Sequence, residues 1–268
     1  MNVQDKVFVV TGAGGGIGGQ IVLTLLSKGA RVAAVDLKEE ALQSLMESAG
    51  SYRAALSLHP LNITDRDAVA HLPESVIEAK GHIDALINCA GIVQPFVKVN
   101  DIEFDAIERV MDVNFYGTLY MSKAFLPHLL KRPESYLVNV SSMGGFLPVP
   151  GQSIYGASKA AVKLLTEGLY AELLGTSVHV SVVFPGATNT NITKNSGVGA
   201  PAHMPDDAAK NFPMLSPEKA AEIIVHGIER NRPQIFTGKD SRLMNRLYRL
   251  NPVYATKLIA KQMKSLLG

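Results

Sequence analysis

The sequence predicts an α/β fold, a doubly wound and mostly parallel seven-stranded sheet with helices on both faces. Three observations predict it. Apolar runs of strand length alternate with amphipathic helical stretches along the chain. Most of those runs are rich in Val and Ile and apolar throughout, as strands covered on both faces must be. Their repeated β-α-β order implies right-handed crossovers and parallel neighbours.

In chain order, strands are expected at residues 6–10, 31–35, 54–58, 83–88, 136–140, 178–184 and 234–237. Helices are expected at 17–28, 38–49, 65–80, 104–131, 155–174 and 217–230. No interdomain linker or internal repeat interrupts this order, so residues 1–237 read as one catalytic domain and 238–268 as its extension. The 268 residues, 47% hydrophobic and 19% charged, suffice for a large core. Two stretches, 143–153 and 187–216, are rich in Gly, Pro and Asn and follow strand ends. Ligands of open α/β sheets bind at the carboxyl ends of strands. These loops are therefore the expected substrate wall and lid, with Met143, Phe146, Leu147, Val149, Ile154, Ile192 and Met204 as its apolar lining. The lid's few charges are Lys194, Asp206, Asp207 and Lys210. Such a wall suits a mainly apolar small molecule.

A single cysteine, Cys89, excludes an intrachain disulfide and reads as a small core residue. The seven histidines show no metal-ligand spacing, so no metal is expected. The start of the chain lacks a basic-then-apolar leader, and no run is long enough to span a bilayer, which points to a cytoplasmic protein. The net charge of +2 excludes a broad electrostatic role with nucleic acid. Charge is uneven, however. Residues 238–268 hold seven Lys/Arg against one acid, Asp240. There Ala255, Ile259, Met263 and Leu266 share a helix face, with Lys257, Lys261 and Lys264 on another. Three readings stand: packing on the core or on another subunit, lying on an anionic membrane surface, or fraying in solvent.

Residues 11–18 read TGAGGGIG, directly after a strand and opening a helix. Glycines let the backbone turn tightly and approach a diphosphate, and the helix N-terminus offers N–H groups and a partial positive charge. Gly12, Gly14, Gly15, Gly16, Ile17 and Gly18 are thus candidate cofactor contacts. Asp36, at the end of the second strand, is placed to accept from the ribose hydroxyls and to repel a 2′-phosphate. Neither Gly15 nor Leu37 brings a compensating cation, although Lys38 tempers the field. The sequence predicts NAD over NADP. Asp36 is alternatively a cap for the following helix.

Tyr155 and Lys159 are four residues apart, on one face of a helix. An ammonium beside a phenol favours the phenolate, so the tyrosine pKa is expected to fall. The pair gains meaning from the rest of the chain. TGxxxGxG at 11–18, NxAG at 88–91, Asn114 in VNFYG, Ser142 after NVS, YxxxK at 155–159 and PGxxxT at 185–190 together resemble the short-chain dehydrogenase/reductase family. The glycine spacing is that of its ordinary, non-extended members.

The resemblance implies a Rossmann-type fold and an NAD(P)-dependent oxidoreductase acting on a CH–OH group. It implies that Tyr155 is the acid and base, and that Lys159 lowers its pKa and holds the nicotinamide ribose. Ser142, rather than Ser141, hydrogen-bonds the substrate oxygen, and Asn114 anchors a proton path. Asn62 and Ile63 flank adenine, although the family usually carries aspartate where Asn62 stands. Asn88, Ala90 and Gly91 line the adenosine ribose. Pro185 and Gly186 lead to Thr188 and Thr190 at the nicotinamide carboxamide. A homodimer or homotetramer is implied through the helices at 104–131 and 155–174. A different class stays open: a non-catalytic NAD-binding sensor or partner platform on the same fold.

Overall fold

A computed structural model describes residues 2–199 and 214–263. Seven strands form one parallel sheet: β1 (Val7–Thr11), β2 (Arg31–Asp36), β3 (Leu56–Pro60), β4 (Ala85–Asn88), β5 (Ser135–Val140), β6 (Val178–Pro185) and β7 (Gln234–Thr237). Their order is β3-β2-β1-β4-β5-β6-β7. The doubly wound fold expected from the pattern is the fold observed. Every β1, β4 and β5 residue is buried, which explains the unbroken apolar runs.

Among the described residues the α-helices are α1 (Gly16–Ser27), α2 (Glu39–Ser48), α3 (Arg66–Lys80), α4 (Phe104–Met111), α5 (Thr118–Leu129), α6 (Ser153–Glu172), α7 (Ile192–Asn195), α8 (Pro217–Glu229), α9 (Lys239–Leu250) and α10 (Pro252–Gln262). One core lies under α1, α2 and α8, with Ile21, Leu25, Leu42 and Ile224 fully buried. The other lies under α3, α5 and α6, around Val76, Met121, Phe125 and Leu173. Each such side chain contributes about 1.5–3 kcal/mol by leaving water. The strand order reverses between β1 and β4, where Thr11 pairs with Asn88. That switch point opens a crevice at the carboxyl ends of the strands.

The structure corrects several expectations. The single helix expected at 104–131 is α4 and α5 joined by a π-helical turn, Asp112–Gly117. Such turns insert one residue into the helical repeat and concentrate at functional sites; this one carries Asn114. The third strand begins two residues late, at Leu56, because Gly50–Ala55 forms a 3-10 turn. The C-terminal segment, expected as a helical extension, forms α9 and α10. Ala255 and Ile259 of α10 are buried against Leu147, with Phe146, Tyr248 and Met263 packed alongside. Of the three readings, the apolar face of α10 takes the first, packing on the core. Leu266 and Lys264 lie outside the described residues, as do Met204, Asp206, Asp207 and Lys210 of the expected lid. Among the described residues, no helix is long and apolar enough to cross a membrane.

Candidate active site

A cleft of about 360 Å³ lies along the carboxyl ends of β1, β2, β4, β5 and β6. Its floor is the β1–α1 turn. Gly12 has φ +67, and a side chain there would drive its Cβ to 2.7 Å from the Ala90 Cα, so only glycine closes this turn against the β4 loop. No side chain caps the N-terminus of α1, which leaves its partial positive charge facing the cleft. Gly12, Gly14, Gly15, Gly16, Ile17 and Gly18 all line it.

Asp36 ends β2 with its carboxylate on the cleft wall. Oδ2 accepts from the Gly14 N–H at 2.9 Å and Oδ1 from the Lys38 N–H at 3.0 Å. These two bonds orient the carboxylate and leave lone pairs for a diol. Asp36 does not cap the first turn of α2, whose flanking residue is Lys38. Leu37, Asn62, Ile63, Ala90, Gly91, Pro185, Gly186, Thr188 and Thr190 also line the cleft. An uncapped helix N-terminus, a glycine turn and a wall carboxylate fit a dinucleotide.

Asn88 is the exception. Its side chain is buried, and Nδ2 donates to Ser122 Oγ and Asn139 Oδ1. It therefore ties β4 to α5 and β5 behind the cleft, and it is not among the residues that line the cleft. Its sequence neighbour Cys89 does face the cleft, where burial pushes the thiol up to about 11. It stays a thiol at neutral pH.

Ser142, Tyr155 and Lys159 meet at the far end of the cleft. Ser142 follows β5, and its Oγ accepts from the Gly144 N–H at 3.0 Å, which leaves its hydroxyl proton free to donate. Ser141 is buried and donates to the Lys159 carbonyl at 2.7 Å, so it holds α6 and is not free for a substrate. Lys159 Nζ donates to the Val140 carbonyl at 3.1 Å. A Cβ on Gly91 would stand 2.9 Å from that ammonium. Asn114 is fully buried behind this group. Its amide exchanges two bonds with the Ile92 backbone and donates to Ser158 Oγ, which donates to the Tyr155 carbonyl. It links the β4 loop to α6 without lining the cleft.

The electrostatics differ from the expectation. Burial raises the Tyr155 pKa above its ordinary value, and the Ser142 hydrogen bond offsets this only in part. Burial also lowers Lys159 to about 8. In the protein alone, desolvation outweighs the help a lysine gives the phenolate.

The expected apolar wall is also revised. Leu147 is fully buried, and Phe146 stacks edge-on against Phe184 at 5.5 Å, so both belong to the packing under α9 and α10. Ile192 does line the cleft. Leu61, Val113 and Asn195 line it as well. Leu61 was readable as the residue following β3; no pattern marked Val113, on the π-helical turn, or Asn195, on α7.

The family model described as short chain dehydrogenase matches residues 6–199. A Mycobacterium tuberculosis protein, SadH, named only as an oxidoreductase, is 33% identical over 262 residues, covering 96% of this chain and 95% of that protein. The 3-oxoacyl-[acyl-carrier-protein] reductase FabG of Thermotoga maritima is 34% identical over 230 residues, covering 84% and 91%. A Burkholderia phymatum short chain dehydrogenase/reductase solved with NAD superimposes with a TM-score of 0.84 at 25% identity, over 95% of this chain and 96% of that one. A Burkholderia cenocepacia short chain dehydrogenase solved with NADP gives 0.80 at 26% identity, over 97% and 99%. With the glycine turn, Ser142, Tyr155 and Lys159 in one cleft, these matches settle the question of kinship: the chain belongs to the short-chain dehydrogenase/reductase family of oxidoreductases.

Proposed function

We propose that the protein interconverts a secondary alcohol and a ketone of mainly apolar character, with NAD as the hydride carrier. The observation that carries this reading is that Ser142, Tyr155 and Lys159 line the same cleft as the glycine turn and Asp36. Relatives are solved with NAD and with NADP, so the choice rests on Asp36, whose carboxylate would repel a 2′-phosphate. Gly12–Gly18 would hold the diphosphate, Asp36 the adenosine ribose, Leu37, Asn62 and Ile63 the adenine edge, and Thr188 and Thr190 the carboxamide. NAD bound there supplies the hydride acceptor. The protein's part is proton transfer at the Tyr155 hydroxyl, with Ser142 donating to the substrate oxygen and Lys159 holding positive charge beside the phenol. Asn114 keeps the β4 loop and α6 in register behind Lys159.

The apolar substrate is supported by Ile92, Val113, Val140 and Ile192 in the lining, and a relative is named for acyl chemistry. Residues 1–237 form the proposed catalytic domain and 238–268 its extension, in a cytoplasmic protein. Exposed Phe104 on α4, Leu164 and Tyr170 on α6 and Leu174 just past its end support a homodimer or homotetramer. Exposed Leu243 and Leu250 beside Arg246 and Arg249 support a peripheral contact with anionic membrane, through α9 in place of the buried face of α10. Sedimentation with anionic vesicles tests it: binding should vanish in R246E/R249E, and binding that persists refutes it.

The function is tested by offering NAD with secondary alcohols of graded size and following NADH absorbance. Turnover that improves with apolar size supports the proposal. Tight NAD binding with no turnover of any alcohol or ketone would favour the sensor reading instead.

A further inference from the structure

Helix α6 carries Tyr155 in its first turn, yet no side chain of its own caps it: the flanking residue, Gln152, makes no capping bond. The missing acceptor comes from Gln94, 60 residues before Ile154 in the chain. Gln94 Oε1 accepts from the Ile154 N–H at 2.8 Å and from the Tyr155 N–H at 3.0 Å. These are the second and third residues of the helix, whose N–H groups an ordinary N-cap side chain would satisfy. The rest of Gln94 is equally engaged. Nε2 donates to the Gly151 carbonyl at 3.1 Å, and Gln152 Nε2 donates to the Gln94 carbonyl at 3.0 Å. Gln94 is fully buried and Gln152 nearly so, so water does not compete for these bonds.

The loop after β4 thus grips the reacting end of α6 twice. At Ile92 it holds Asn114, which reaches the Tyr155 carbonyl through Ser158. At Gln94 it holds the Tyr155 amide itself. A neutral amide does this without a negative charge beside the phenol, so the partial positive charge of the helix N-terminus stays available to a phenolate. A carboxylate would satisfy the same two N–H groups and cancel that charge.

We propose that Gln94 is a positioning residue: it caps α6 from the β4 loop, holds the Tyr155 backbone so that its hydroxyl stays beside Ser142, and by its neutrality adds no negative charge next to the phenol. The proposal rests on Tyr155 being the acid–base group. Two variants test it. Gln94→Met keeps the volume and removes the acceptor; Gln94→Glu keeps the acceptor and adds charge. Three readouts apply: hydrogen exchange of the peptide 152–158 without cofactor, NADH affinity by fluorescence, and the pH profile of oxidation of a secondary octanol by NAD.

In Gln94→Met the Ile154 and Tyr155 amides should lose protection. The kcat should fall about 10- to 100-fold, as expected for a small misplacement of a reacting group, with NADH affinity within about twofold of wild type. In Gln94→Glu protection should return and kcat recover at high pH, with the profile moved to more alkaline pH. The proposal is overturned if Gln94→Met keeps wild-type protection and kcat, or if its loss appears in NADH affinity instead of kcat. It is also overturned if Gln94→Glu is protected but unshifted in pH. Should Gln94→Met fail to fold, Gln94→Glu alone decides. Should the wild type not oxidise the octanol, the exchange data still decide whether Gln94 caps α6, and the functional reading fails separately.

Discussion

The Ser142 hydroxyl stands beside the Tyr155 ring and pulls the phenol's pKa down, against the burial that raises it. The serine can do so because its own lone pair is occupied by the Gly144 N–H. Ser142→Ala should therefore raise the Tyr155 pKa further. The basic form needed for alcohol oxidation then appears only at higher pH, and the rising limb of the kcat/KM profile moves to the alkaline side. A profile that keeps its position while kcat falls would assign Ser142 to the substrate oxygen alone.

Lys159 is nearly fully buried, and burial lowers its pKa from 10.5 to about 8. Between these values the unfolded chain binds more protons than the folded one, so this group's contribution to stability rises with pH across that window. Below about pH 8 the cost is present in full and corresponds to about 3 kcal/mol. Lys159→Met should consequently be inactive but melt higher than wild type at neutral pH. The gap should close as pH approaches 10.5. Melting curves of the two proteins across pH give the answer.

Asp36 holds the Gly14 N–H and faces the cleft. Asp36→Ala removes the charge that would repel a 2′-phosphate and an acceptor of ribose hydroxyls. The ratio of kcat/KM for NAD over NADP should fall about 10- to 100-fold, the scale of a hydrogen bond to a charged group. A wild type that prefers NADPH would contradict the assignment.

Ile259 is 6% exposed and packs on Leu147, in the loop that continues from Ser142. Ile259→Ala should cost about 2–4 kcal/mol by the cavity it leaves. It should raise KM for the alcohol more than for NAD, because the β1–α1 turn lies elsewhere in the cleft. Thermal melts and separate KM values test both parts.

The sheet was legible because its central strands β1, β4 and β5 are buried on both faces and read as largely apolar runs. The cofactor end of the cleft was legible because a tight turn into a helix needs glycines at fixed spacing, and because Asp36 ends a strand. What could not be read depends on contacts distant in sequence. Asn88 sits in the NxAG motif, yet its amide is drawn to Ser122 and Asn139 by a buried network. Leu147 belongs to a loop by composition, yet two C-terminal helices cover it. The π-helical turn at Asn114 leaves no mark on hydrophobic periodicity. The Tyr155–Lys159 spacing located both side chains, but desolvation, which no spacing reports, sets the sign of their pKa shifts.

The most direct measurement compares wild type and Tyr155→Phe on a secondary alcohol that the wild type oxidises with NAD, alongside NADH affinity for both. The account predicts unchanged NADH binding and a kcat lower by about 10²- to 10⁴-fold in the variant, the range for loss of a positioned acid–base group. A phenylalanine variant that turns over the same alcohol at the wild-type rate would contradict it.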